Sequence, residues 1–382
     1  MIDSIELFCG AGGLALGLQK AGLNHKALFE WDKYSCANIN QNIADGNTLV
    51  SDWKVFETDV RKVDFQVYKG SIDVISGGPP CQPFSLGGKA KAYNDTRDMW
   101  PEAIRAVREI LPKAFVFENV KGLLRPAFSD YFHYILLQLK YPTISRGDLS
   151  WNDHYRLLEE KHRNGERGTY NIKYSLVNVA DYGVPQSRYR VIIVGFKSDL
   201  EIDYEFPEPT HSKDALLFDK WVTGDYWREH GLEQPECEIS EQRLATLRKN
   251  PPKTNRWRTV RDAICDLPDP RLNQQLSISN HEYRPGAKAY AGHSGSDLDE
   301  PSKTIKAGVH GVPGGENTIV LDDGTIRYYT VRESARIQTF DDDYVFCGSW
   351  GEAMRQIGNA VPEMMAEIIG RSVVEKLERS AK

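Results

Sequence analysis

The chain has 382 residues, with 48 Lys and Arg against 54 Asp and Glu, 40% hydrophobic and 27% charged residues. This is the composition of a folded globular protein long enough for one large domain and a smaller one. No apolar run approaches bilayer length and "MIDSIELFCGAGG" carries no basic leader, so a cytoplasmic location is expected. Six cysteines (Cys9, Cys36, Cys81, Cys237, Cys265, Cys347) without any Cys-x-x-Cys pair point to reduced thiols, with neither a disulfide framework nor a metal site.

In chain order, the apolar runs "SIELF", "KALFEW", "IDVISGG", "AFVFENV", "YSLVNVADYG" and "RVIIVGF" predict strands. Helical patterns lie between them, as in "LALGLQKAG", "SCANINQN" and "MWPEAIRAVREIL". Strands alternating with helices predict an α/β fold, a doubly wound and mostly parallel sheet covered on both faces. Residues 1–198 form this first domain. The polar stretch 145–168 interrupts it as a partly helical excursion. From 199 to 325 the sequence turns rich in Pro, Gly, Asn, His and charge, which predicts a second, loop-rich domain. Residues 326–382 regain helical periodicity and are expected to return to the first domain.

Chemistry gathers at the predicted strand ends. Gly10, Gly12 and Gly13 form a turn between the first strand and helix, and Glu30 closes the second strand twenty residues after Gly10. Such a turn admits close approach by a nucleoside, with an acid for ribose hydroxyls. Trp31 offers a stacking face and Asp59 a second carboxylate, yet the pattern fits a nicotinamide cofactor as well as S-adenosylmethionine. The fourth strand runs into "GGPPCQPFS", whose paired prolines stiffen the turn that presents Cys81, and the fifth delivers Glu118. "GVPQSRYRVIIVGF" places Gln186, Arg188 and Arg190 ahead of a buried strand, with alternation putting both arginines on one side. From Arg243 to Arg261 the sequence holds seven basic residues and no acidic one around Trp257, a pattern suited to tracking phosphates.

The motifs "FCGAGG", "FEWD", "GGPPCQPFS", "ENV", "QSRYR", "YYTVRESARIQTF" and "QIGNAVP", in that order, resemble the cytosine-5 DNA methyltransferases, specifically the bacterial restriction-modification branch. The likeness spans almost the whole chain and implies a sequence-specific DNA (cytosine-5-)-methyltransferase of the S-adenosylmethionine-dependent fold. The resemblance makes Cys81 the nucleophile, Glu118 the group that meets the ring nitrogen, and Arg190 with Arg188 the arginines that hold the base carbonyl. It assigns Phe8, Gly10, Gly12, Gly13, Glu30, Trp31, Asp59 and Asn359 to S-adenosylmethionine, whose product is S-adenosylhomocysteine. Ser85 resembles the family's phosphate contact. The variable segment falls where the family keeps its target-recognition domain, so Arg256, Arg258, Lys303 and Lys306 are expected to meet DNA, with His310 and Asn317 as further donors to base edges. The expected partners are double-stranded DNA and a restriction endonuclease acting on the same site, the enzyme itself being a monomer. A transfer-RNA cytosine methyltransferase shares the catalytic motifs and is the alternative; a nicotinamide-dependent oxidoreductase would leave Cys81, Glu118 and the arginines without a purpose.

Overall fold

A computed structural model describes residues 1–80, 98–272, 278–288, 294–307 and 317–380. They divide into two compact units: 1–177 with 189–207 and 366–382, and 178–188 with 208–365. The chain thus enters the second unit twice, first for the short stretch that holds Gln186 and Arg188. Residues 326–365 group with the second unit, and only the stretch from 366 onward groups with the first.

The first unit is built on a sheet of β1 (Ile2–Leu7), β2 (Leu23–Glu30), β3 (Val55–Glu57), β4 (Val74–Gly77), β5 (Ala114–Val120), β6 (Tyr170–Asn178) and β7 (Tyr189–Lys197) in the order β3-β2-β1-β4-β5-β7-β6. β3 with β2, β2 with β1, β1 with β4 and β4 with β5 are parallel, and β7 runs antiparallel to β5. The doubly wound reading of the sequence therefore holds. The central strands are continuous apolar runs because both faces are covered: Phe115, Val116 and Phe117 are all buried.

Helices α1 (Gly13–Lys20), α2 (Lys33–Ala44), α3 (Trp100–Ile110), α4 (Ser129–Lys140) and α5 (Trp151–Arg163) belong to this unit. α3 begins with Pro101 in its first turn, where no intrahelical N–H is needed, and buries Trp100, Ala103, Ile104, Val107 and Ile110 along one stripe. Each such side chain contributes about 1.5–3 kcal/mol when fully buried. The excursion seen in the sequence becomes α5, capped by Ser150 and joined to α4 through His154, which bonds the Tyr134 hydroxyl at 2.7 Å and the Ile144 carbonyl at 3.0 Å. Its Leu158 enters the main core.

The second unit carries short elements: β8 (His211–Ser212), α6 (Lys213–Phe218), α7 (Asp225–Glu229), α8 (Glu241–Lys249), β9 (Asn255–Arg256), α9 (Val260–Ile264), β10 (Ser296–Asp297), β11 (Thr318–Val320), β12 (Ile326–Tyr328), α10 (Val331–Ile337) and α11 (Trp350–Asn359). The last helix, α12 (Glu363–Ser380), starts in the second unit and continues in the first. Reciprocal side-chain caps fix the entries of α9, by Thr259 and Asp262, and of α10, by Thr330 and Glu333. Among the described residues no helix is long and apolar enough to cross a membrane.

Candidate active site

The carboxyl edge of the first unit's sheet holds Phe8, Gly10, Gly12, Gly13, Glu30, Trp31, Asp59 and Glu118. β1 ends in a turn that the chain can make only with unusual backbone angles: φ is +57° at Phe8, +53° at Gly10 and +86° at Gly12, the last capping α1. Gly10 and Gly12 adopt these angles without a Cβ clash, whereas Phe8 holds the strained region as a bulky residue, a condition common at ligand sites. Glu30, at the end of β2, is buried and fixes the turn. Its Oε2 accepts from Gly10 N at 2.9 Å, and its Oε1 accepts from the N–H groups of Trp31 and Asp32, each at 2.9 Å. Burial raises the Glu30 pKa, and these three backbone donors oppose that shift. A carboxylate has about four acceptor sites, so capacity for a hydroxyl remains.

Trp31, next in the chain, leaves 72% of its surface exposed, which presents an indole face at the strand end. Asp59 caps the turn after β3, and its carboxylate is held by Arg61, Nε at 2.9 Å and Nη2 at 2.6 Å. That guanidinium keeps Asp59 below the usual carboxylate range. Any adenine amino group arriving there would share Asp59 with Arg61. Asn359 is exposed at the end of α11 in the second unit.

The end of β4 explains its paired glycines. Gly77 lies opposite Leu7 of β1, and a Cβ there would stand 2.6 Å from the Leu7 carbonyl oxygen. At Gly78 a Cβ would reach within 3.2 Å of Glu118 Oε2. One glycine lets the strands close up; the other makes room for the carboxylate. Asn119 then donates to the Pro79 carbonyl at 3.1 Å, tying the proline turn to β5. Cys81 and Ser85, the expected nucleophile and phosphate contact, lie outside the described residues, as does His310.

Glu118 is 8% exposed, and its Oε1 stands 2.5 Å from Arg190 Nε. The pairing follows from register: Val120 of β5 faces Arg190 of β7 and Glu118 faces Ile192, so Glu118 and Arg190 are diagonal neighbours on one face. Because β7 is antiparallel, its first residues stand at the same edge where β5 ends.

Arg188 has other partners. It is fully buried in the second unit, donating to the carbonyls of Ile305 at 3.1 Å, Gly358 at 2.7 Å and Ala360 at 3.1 Å. Of the two arginines expected to hold the base carbonyl, Arg190 meets Glu118, while Arg188 Nη1 and Nη2 bond these backbone carbonyls. The Arg256 guanidinium lies against Asp262 at 2.6 Å, Glu229 at 2.9 Å and Asp219 at 3.5 Å, over the Tyr226 ring. Arg243 pairs with Asp214, and Arg261 with Asp299 and Asp322. Arg258 is half-buried, whereas Lys303 and Lys306 are exposed. Asn317 exchanges two hydrogen bonds with the Lys306 backbone, at 3.0 and 3.1 Å.

The sequence reading missed Glu6. It is fully buried in the middle of β1, bonded to the Ser76 hydroxyl at 2.7 Å, and desolvation pushes its pKa to about 8. The signal was an acid inside the apolar run "SIELF", two residues from another buried polar group, Ser4, which bonds His25 at 3.0 Å. Burial also raises the pKa of Cys9 and Cys36, the latter to about 12, so the two cysteines near Glu30 are held as thiols.

A family model for C-5 cytosine-specific DNA methylases matches residues 2–141 and 147–375. The chain is 35% identical to the Type II methyltransferase M.PspPI of Psychrobacter sp. (strain TA137), over 99% of this chain and 80% of that protein. It is 34% identical to the Type II methyltransferase M.Eco47II of Escherichia coli, over 98% and 79% respectively. Its fold matches that of a mutant of Spodoptera frugiperda DNMT2 with a TM-score of 0.60 and 14% identity, over the whole of both chains. The chain belongs to the C-5 cytosine-specific DNA methylase family, whose members are S-adenosylmethionine-dependent.

Proposed function

We propose that the protein methylates carbon 5 of a cytosine taken out of duplex DNA, through a transient bond between Cys81 and carbon 6 of the ring. The observation that carries this reading is the buried Glu118 carboxyl, 2.5 Å from Arg190 and given its space by Gly78, at the sheet edge where the chain runs into Pro79, Pro80 and Cys81.

Carbon 5 of cytosine is a weak nucleophile until a thiolate adds to carbon 6. As the Cys81 sulfur bonds to carbon 6, the displaced ring electrons reach nitrogen 3, where a proton held by Glu118 meets them, while Arg190 orients Glu118 and donates to the neighbouring carbonyl. S-adenosylmethionine, when bound, supplies the methyl group for carbon 5. Loss of the carbon 5 proton to a base then restores the double bond, breaks the carbon–sulfur bond and frees Cys81 as thiolate, and the nitrogen 3 proton returns to Glu118. The thiols of Cys9 and Cys36, with their raised pKa values, are unsuited to the nucleophile's task.

For the cofactor, the turn at Phe8, Gly10, Gly12 and Gly13 admits close backbone approach. Glu30 keeps acceptor capacity for ribose hydroxyls, Trp31 offers its open face to adenine and Asp59 its carboxylate to the amino group. A target base inside the helix cannot reach Glu118, so it is flipped out at a cost of a few kcal/mol, offset by phosphate contacts from Ser85, Lys303, Lys306 and Arg258. Names of the relatives support a further step, that the protein is the modification half of a restriction-modification system.

The test is a duplex carrying 5-fluorocytosine, incubated with enzyme and S-adenosylmethionine. A covalent complex that disappears in Cys81→Ser, with S-adenosylhomocysteine binding retained, is expected; absence of any trapped complex with the wild-type protein overturns the mechanism. Labelled methyl transfer to duplex DNA and to tRNA in parallel separates the two polynucleotide substrates, and labelling of tRNA alone overturns the DNA reading.

A further inference from the structure

Three motifs far apart in the chain meet in one buried polar knot of the second unit. Gln186, Arg188 and Gln338 are each 0% exposed. Gln186 donates through Nε2 to Gln338 Oε1 at 2.9 Å and accepts on Oε1 from the Ile305 backbone N–H at 3.0 Å. Gln338 donates in turn to the carbonyls of Ile357 at 2.6 Å and Ala360 at 3.1 Å. Arg188 bonds the Ile305 carbonyl and, with its other nitrogen, the carbonyls of Gly358 and Ala360. Ile305 therefore has both its backbone groups held, one by each side chain of the "QSR" motif.

The backbone beside it is strapped as well. Ser187 N donates to the Ser302 carbonyl at 2.8 Å, Ser302 N to the Pro185 carbonyl at 2.9 Å, and the Thr304 hydroxyl to the Ser187 carbonyl at 2.8 Å. Gly358 permits the approach, since a Cβ there would lie 2.4 Å from Ala307 N. The result is a segment, 302–307, whose backbone is fixed on its inner side while the side chains of Lys303 and Lys306 stand exposed. Asn317 closes the far end by its two bonds to Lys306.

We propose that Arg188 is a positioning residue for target recognition: with Gln186 and Gln338 it sets the presentation of the 302–307 segment to DNA. This rests on the proposed DNA reading and gives the "QSR" arginine a task separate from ring chemistry. A guanidinium fork can serve three carbonyls in fixed directions; a lysine ammonium at that position keeps the charge and loses that geometry.

The experiment compares wild type, Arg188→Lys and Asn317→Ala on unmethylated DNA with labelled S-adenosylmethionine, then on duplexes with the bisulfite-mapped target or a one-base alteration of it. Arg188→Lys is expected to raise KM for DNA about tenfold or more while kcat stays within about threefold, and to narrow the preference for the target over the altered duplex. Asn317→Ala, at a half-buried position outside the knot, is expected to shift KM and preference in the same direction by a smaller factor, and keeps the question open to refutation should Arg188→Lys not fold. Loss of kcat in Arg188→Lys with unchanged KM and preference, or wild-type KM and preference in Asn317→Ala, overturns the proposal. Failure of the wild-type protein to label any DNA overturns the DNA reading itself, whereas an active wild type with indifferent variants overturns this inference alone.

Discussion

In the first unit, the polar groups assigned to chemistry stand at strand ends on an apolar scaffold; in the second, ion pairs and amides run through the interior. Glu30 and Glu118 each follow an apolar run, Ala27, Leu28 and Phe29 in β2 and Ala114, Phe115, Val116 and Phe117 in β5. In the second unit Arg327 and Glu333 are both buried and paired at 2.6 Å, Arg261 bridges Asp299 and Asp322, and Gln186 meets Gln338. The first arrangement follows from hydrophobic period and can carry a reactive group at its edge without depending on that group for stability. The second depends on its polar partners, because a buried charge deprived of its partner is left uncompensated. Substitutions should therefore separate into effects on rate and effects on folding.

The largest expected effect is on rate. Glu118→Gln preserves shape and removes the acidic proton, so kcat should fall by about 10²–10⁴-fold, the range for loss of a positioned acid or base. Its amide oxygen still accepts from Arg190, so the melting temperature should fall little, and affinity for S-adenosylhomocysteine should stay near wild type. Single-turnover kinetics with saturating DNA measures this, and a protein that melts early while retaining kcat would break the comparison.

Arg256→Ala should do the reverse. It strands Asp262, whose side chain is 9% exposed, and removes the cation from over Tyr226. The second unit should lose about 3 kcal/mol, the lower end for breaking a buried pair. Denaturant unfolding reports this loss, which should coexist with an unchanged salt dependence of DNA binding, since the side chain is spent on carboxylates.

These two residues also mark what the sequence could and could not convey. The strand "AFVFENV" coincides with β5, and the placement of Glu118 and Arg190 at one edge follows from strand period and from β7 being antiparallel to β5. The basic stretch from Arg243 to Arg261 was read from a window that contains no acid. Its partners Asp214, Asp219, Glu229, Asp262, Asp299 and Asp322 all lie outside that window. Local charge counts cannot register carboxylates that the fold brings in from thirty or sixty residues away. The Arg188 contacts were illegible for a related reason: alternation sets a side, but backbone carbonyls from "GNA" and from the 302–307 segment leave no trace in residue chemistry. Glu6 was legible in principle, as an acid in a strand whose neighbours are apolar, and its partner Ser76 sits on the adjacent strand β4.

Glu6 sharpens the comparison as a fully buried acid inside the first unit. Its pKa, near 4.5 in an unfolded chain, is raised to about 8 by burial. Between those values the native state keeps a proton that the unfolded state has released, so stability declines as pH rises from about 4.5 to about 8 and levels off above. Glu6→Gln keeps a neutral hydrogen-bonding group of similar shape and should remove that decline. The difference in unfolding free energy between variant and wild type, followed across this window, isolates Glu6 from every other titrating group. A constant difference would mean that Glu6 ionises alike in both states.

The smallest effect belongs to Lys303, an exposed side chain in the otherwise polar and buried surroundings of the second unit. Among the described residues its ammonium bonds the Ser294 hydroxyl, at 3.3 Å, so truncation to Ala should alter stability by no more than about 0.5 kcal/mol. Without its ammonium on a phosphate, one counterion fewer leaves the DNA on binding, which lowers the slope of log affinity against log salt by about 1. At low salt the affinity falls; as salt rises the wild-type and variant curves converge. Titrating one duplex at several salt concentrations separates this from a bond to a base edge, whose removal would weaken binding equally at every concentration and leave the slope alone. A parallel downward shift would therefore move Lys303 from backbone attraction to reading the base sequence, and would make the 302–307 segment a source of selectivity in its own side chains.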